Sequence, residues 1–132
     1  MRIMIDTNVL ISAALFPNSQ ISLLIKKVTV THELILCSYI IDELHEIFHR
    51  KFKDRIYLLD KFLYKLAYEL IYTPTDIKSA EYPEIRDKED LPILVSALLS
   101  NVDILITGDK DFFDVDIDRP EILTPREYLE KY

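Results

Sequence analysis

Glycine is almost missing from this chain: Gly108 is the only one among 132 residues. That scarcity excludes the glycine-rich phosphate cradles, because neither a GxGxxG turn nor a Walker-type loop can be built from one glycine. Cysteine is equally scarce. Cys37 has no partner for an intramolecular disulfide, and its place after the apolar run Leu34-Ile35-Leu36 reads as a buried structural thiol. No apolar stretch approaches the ~20 residues of a membrane span. The opening Met1-Arg2-Ile3-Met4-Ile5 meets an acid at Asp6, too soon for a signal peptide. The expectation is a cytoplasmic setting with no membrane partner.

Positive charge is also in short supply. The formal net charge is −7, and residues 74–132 carry 7 Lys/Arg against 15 Asp/Glu, whereas residues 1–73 carry 9 against 8. Proteins that grip nucleic acid without sequence preference are usually basic. A phosphate-binding surface must therefore be local, and the candidate is the cluster Arg50, Lys51, Lys53 and Arg55. The same cluster also reads as a solvated corner between helices.

What the chain does have is a 49% hydrophobic content, sufficient for one compact domain over residues 1–132. Arg2-Ile3-Met4-Ile5 reads as a strand, and Asp6-Thr7 as the start of a helix that Pro17 ends. Asn18 or Ser19 caps a second helix carrying Ile21, Leu24, Ile25 and Val28. Residues 33–37 form a second strand, and Ser38 caps a helix with Ile40, Leu44, Ile47 and Phe48 on one face. A long helix is expected from Arg55 to Leu70, on the stripe Ile56, Leu59, Leu63, Leu66 and Leu70, then a short strand at Ile71-Tyr72-Thr73. A weak helix near Asp76–Glu81 precedes a helix opened by Asp90, where Pro92 is tolerated in the first turn. Residues 103–107 form a fourth strand with a sharp exit at Gly108. Residues 121–123 form a fifth, and Pro125 starts a terminal helix. Strands alternating with helices give a three-layer α/β/α fold around a five-stranded parallel sheet.

Four acids stand where strands feed loops or helices begin: Asp6, Glu43, Asp90 and Asp109. Each alone has an ordinary reading, as an N-cap, a solvated helix residue, a dipole partner or a turn residue. Their combination carries the argument. In open parallel sheets, ligands sit beyond the carboxyl ends of the strands where strand order reverses. If the first and fourth strands are neighbours, Asp6 and Asp109 face one crevice, and Glu43 lies in the helix after the second strand. Two charges ~4 Å apart repel by ~4 kcal/mol at an effective dielectric near 20. Such acids stay ionised together only around a cation. With oxygen ligands, and none of His32, His45 or His49 in the motifs, the ion expected is hard, Mg²⁺ or Mn²⁺. Thr7, Asn8 and Thr107 are placed to orient the carboxylates. Metal-assisted phosphodiester chemistry follows.

The segments Ile3-Met4-Ile5-Asp6-Thr7-Asn8-Val9-Leu10, Glu43-Leu44-His45-Glu46-Ile47, Arg86-Asp87-Lys88-Glu89-Asp90 and Ile104-Leu105-Ile106-Thr107-Gly108-Asp109-Lys110-Asp111-Phe112 together resemble a PIN domain. More narrowly, the chain resembles the prokaryotic PIN-family toxin components of toxin–antitoxin systems, over nearly its whole length. That resemblance implies a Mg²⁺- or Mn²⁺-dependent ribonuclease. Asp6, Glu43, Asp90 and Asp109 match the family's acidic quartet, Asp111 an assisting acid, and Asp87 a flanking acid. The placement of Asp90 beside the others rests on the resemblance. Leu91-Pro92 departs from the polar residues many relatives carry after this acid. The expected partners are single-stranded RNA, a small antitoxin protein and a second copy of the chain, the last through a helix bearing Tyr57, Phe62 and Tyr64. Two rivals remain at this stage. One is a Mg²⁺-dependent phosphatase, although Asp6-Thr7-Asn8-Val9 lacks the second Asp such enzymes use. The other is a binding module whose acidic pocket receives a partner's basic side chain.

Overall fold

The structure is a computed structural model that describes residues 1–132. Three apolar runs become the middle of a parallel sheet: β1 (Arg2–Ile5), β2 (Glu33–Cys37) and β4 (Ile104–Ile106). Ile3, Met4, Ile5, Ile35, Leu36, Leu105 and Ile106 are wholly excluded from solvent. Such unbroken apolar runs are what a strand covered on both faces requires. Two three-residue strands, β3 (Glu69–Ile71) and β5 (Glu121–Leu123), form the edges, and the order is β3-β2-β1-β4-β5 with every pair parallel. The helices are α1 (Thr7–Leu15), α2 (Gln20–Thr31), α3 (Ser38–Lys51), α4 (Ile56–Lys65), α5 (Leu91–Leu99), α6 (Lys110–Phe113) and α7 (Pro125–Lys131). The chain steps β1, β2, β3 in one direction and β4, β5 in the other. Right-handed crossovers therefore place α1–α4, which pack on one another, opposite α5 and α6. No helix is long and apolar enough to cross a membrane.

The three-layer architecture is as the sequence predicts, and Cys37 is buried and free. Ser19 is the cap of α2, its hydroxyl accepting from the Ser22 amide at 3.2 Å. Four local readings are corrected. The expected long helix ends at Lys65, and Leu70 lies in β3 opposite Leu36. Leucines spaced three or four apart continue past a helix end without penalty, and a three-residue edge strand has too few positions to show alternation. Ser38 is the first residue of α3 and its hydroxyl accepts the Thr73 amide at 2.9 Å, tying the chain beyond β3 to α3. The weak helix at 76–81 contracts to a 3₁₀ turn at Ser79–Glu81. Gly108 has no positive φ, and a Cβ there would meet nothing within 4 Å, so the bend does not need glycine and the space above it is open.

Leu105, at the centre of β4, is wholly excluded from solvent. Leu105→Ala is expected to cost about 2–5 kcal/mol through lost burial and the cavity left behind, readable as a lower urea midpoint with an unchanged denaturant slope.

Candidate metal centre

Strand order reverses between β1 and β4, whose last residues Ile5 and Ile106 are in register. Their carboxyl ends diverge into a crevice, and the chain leaving each strand supplies an acid. Asp6 follows β1 directly and caps α1: its Oδ1 accepts the Thr7 amide at 2.7 Å, while its Oδ2 accepts the Thr107 hydroxyl at 2.7 Å. The same Thr107 oxygen accepts the Asp109 amide at 3.0 Å, so one hydroxyl holds both acids at the crevice. Asp109 in turn caps α6, its Oδ1 accepting the Asp111 amide at 2.9 Å. Glu43 reaches in from the second turn of α3, where the Thr7 hydroxyl donates to its Oε1 at 2.6 Å. Asn8 is exposed and stands outside this network.

Asp90 ends the 3₁₀ turn Lys88–Asp90 and precedes α5. Asp109 is the acid that most strongly opposes its ionisation. The Asp90 Oδ2 atom is buried and has no hydrogen-bond partner. Its carboxylate oxygens converge with those of Asp87 and Asp111, one from each lying within 4.8 Å of the others. The expected quartet thus lines one crevice, while the group of three carboxylates within 4.8 Å joins Asp90 to the two acids that the sequence set at its margin. Asp111 already carries a cation. Arg86 Nε donates to its Oδ1 at 2.7 Å and Nη2 to its Oδ2 at 3.0 Å.

Electrostatics follow from this crowding. Burial raises the Asp6 carboxyl above the ordinary range, the bonds from Thr107 and Thr7 oppose that rise, and Asp109 adds to it. Burial likewise raises Glu43, against the Thr7 bond, with Asp6 the strongest repelling charge. Asp90 is pushed up to about 8, first by burial, then by Asp109, with Asp6 and Asp87 behind. Tyr39, at the start of α3, is pushed up to about 12 by burial and then by Glu43, Glu89, Asp90 and Asp87, which places both flanks of the crevice around one phenol. An all-oxygen donor set, a buried carboxylate oxygen without a partner and acids that retain protons above their normal range fit a hard divalent cation. They do not fit zinc, whose sites favour cysteine and histidine.

The basic cluster divides. Arg50 lines a hollow with Tyr39, Glu43 and Glu89, whereas Lys51, Lys53 and Arg55 sit at the far end of α3 and in the following 3₁₀ turn. In the sequence Asp87 reads as a flanking acid, and Arg86 stands in the motif without a role. The pairing of Arg86 with Asp111 spans 25 residues, and nothing local in the chain announces it.

The profile of the PIN domain family matches residues 2–111, which include all of the acids above. No curated protein matches the chain in sequence at a significant level. Among solved structures, the chain is similar to one in the crystal structure of VapBC2 from Rickettsia felis bound to a DNA fragment from their promoter. The TM-score is 0.69 at 20% identity, covering 93% of this chain and 97% of that one. The structural likeness establishes the shared fold, and the profile match over most of the sequence establishes the family: the chain belongs to the PIN domain family.

Proposed function

We propose that this protein is a Mg²⁺- or Mn²⁺-dependent endoribonuclease that hydrolyses single-stranded RNA, acting as the toxin of a toxin–antitoxin pair in the cytoplasm. The observation that carries the reading is the crevice at the β1/β4 switch point, where Asp6, Glu43, Asp90 and Asp109 gather and one buried Asp90 oxygen lacks a partner. Membership of a family whose domains are generally nucleases supports it. Asp6, Asp90 and Asp109 hold the cation, Glu43 completes its shell or positions the attacking water, and Asp111 assists. When bound, the cation polarises a phosphoryl oxygen and acidifies the water. In-line attack at phosphorus leaves a 5′-phosphate and a 3′-hydroxyl. The Thr7 and Thr107 hydroxyls keep Glu43 and Asp6 aimed inward.

The test is cleavage of end-labelled RNA in Mn²⁺, with and without EDTA, beside small phosphate monoesters as a control for a phosphatase. Cleavage that survives chelation, or turnover of the esters alone, would overturn the reading. Thr7→Val removes the hydroxyl on Glu43 while retaining a β-branched side chain of similar volume. Cleavage is expected to fall about 10-fold, with the melting temperature little changed.

The toxin role draws support from the VapBC2 complex, whose fold this chain shares. Co-purification with a small co-encoded protein that suppresses cleavage tests it. Arg50 at the Glu43 hollow, then Lys51, Lys53 and Arg55, are the residues we assign to RNA contact beyond the crevice. Tyr57 and Tyr64 of α4 are exposed, and Phe62 is half-buried. A homodimer through α4 is testable by sedimentation, where a monomer at all concentrations would refute it.

A further inference from the structure

We propose that Arg86 is the residue that binds the phosphate of the RNA at the mouth of the crevice, and that Asp111 serves to aim it. This rests on the ribonuclease reading above. The Arg86 side chain is 84% exposed, whereas the Asp111 side chain is 9% exposed. An arginine so open to water would ordinarily sample many rotamers. Here its position is fixed by a two-point fork on a carboxylate that the fold itself holds, since the Asp111 amide is bonded to Asp109.

A guanidinium has five N–H donors in a rigid plane. Two are spent on Asp111, at 2.7 and 3.0 Å, and the other three remain on the solvent side. The carboxylate they are anchored to, Asp111, converges with those of Asp87 and Asp90, one oxygen from each lying within 4.8 Å of the others. A phosphodiester entering an acidic crevice on a chain of net charge −7 meets repulsion from nearly every side. Arg86 is the cation already paired within that acid cluster, and it lies where a non-bridging oxygen would arrive. Planar, bidentate-capable arginine is suited to phosphate in a way a lysine point charge is not. Neutralising the Asp111 carboxylate, whose side chain is 9% exposed, occupies only the two donors of the fork and leaves the other three free for a ligand.

The plainer alternative is that Arg86 only neutralises Asp111, and the experiment separates the two. RNA affinity is read by fluorescence anisotropy of a labelled single-stranded oligonucleotide, with Ca²⁺ replacing Mn²⁺ so that binding is seen without turnover. Arg86→Gln is expected to weaken binding about 10-fold. It should also flatten the dependence of log affinity on log salt by about 0.7, the value of one phosphate contact on a single strand. Arg86→Lys is expected to fall between. In the paired variant Arg86→Gln/Asp111→Asn no unpaired buried charge is left, and the loss should persist. Recovery of wild-type affinity in the paired variant, or an unchanged salt slope in Arg86→Gln, would overturn the proposal. So would a parallel loss of Ca²⁺ affinity by calorimetry. Wild-type protein that binds no RNA at all would instead sink the ribonuclease reading, a result distinct from a wild type that binds and an Arg86 variant that binds as well.

Discussion

Asp6→Asn is expected to reduce RNA cleavage by about 100- to 1,000-fold, comparable with removing one preorganised electrostatic group from an active site. The same change should leave the fold intact. Asn is as good an N-cap as Asp, so its carbonyl can accept the Thr7 amide as Asp6 Oδ1 does at 2.7 Å. The new amide group replaces Oδ2, and Thr107 can rotate its hydroxyl to accept from it, since that oxygen has a second lone pair beside the one used by Asp109. What is lost is the negative charge, which burial disfavours in the metal-free protein. At neutral pH without metal the variant should therefore melt at the same temperature as wild type or higher, while cleaving far less. A variant that unfolds, or that cleaves as well as wild type, would contradict both the site and the role given to Asp6.

Metal-free protein is expected to lose stability as pH rises from about 5 to 8, the reverse of ordinary carboxylate behaviour. The Asp90 carboxyl moves from 3.8 to about 8 on folding, and Asp6 and Glu43 shift in the same direction. Between the unfolded and folded values the native state binds more protons than the unfolded chain, so each step upward in pH favours unfolding. The contribution is complete below the unfolded value and spent once pH passes the folded one. Asp90 is only half-buried, and water screens part of the repulsion. The loss expected is about 2 kcal/mol, or roughly 7 °C in Tm for a domain of this size. Mn²⁺ should restore most of it at pH 8 and little of it at pH 5, where protons occupy the ligands. Asp90→Asn should flatten the metal-free profile. Calorimetric melts in EDTA and in Mn²⁺ at the two pH values decide the matter, and a metal-free Tm that climbs with pH would refute the arrangement.

The sheet was legible because its middle strands are nearly pure aliphatic runs, and such runs have few alternatives once helices flank them. The cap residues Asp6 and Ser19 were legible for a local reason: each bonds an amide within three positions. Leu70 was misread because a leucine at helical spacing looks the same whether the helix continues or has ended at Lys65. At the crevice, Asp6 and Asp109 followed from strand adjacency alone. Asp90 did not, since its approach depends on the route of residues 74–88, which carries no periodic signal. Arg86 escaped for a related reason. Its partner Asp111 lies beyond α5 and β4, and only the folded chain shows that a buried carboxylate there requires a guanidinium.

The Thr107–Asp6 hydrogen bond joins positions 101 apart in the chain. While the polypeptide is being made, Asp6 waits for a partner 101 positions later before its crevice has a second wall. A nascent chain still short of β4 holds Asp6 and Glu43 but neither Thr107 nor Asp109. The four acids are thus brought together only once β4 and the turn after it have been made.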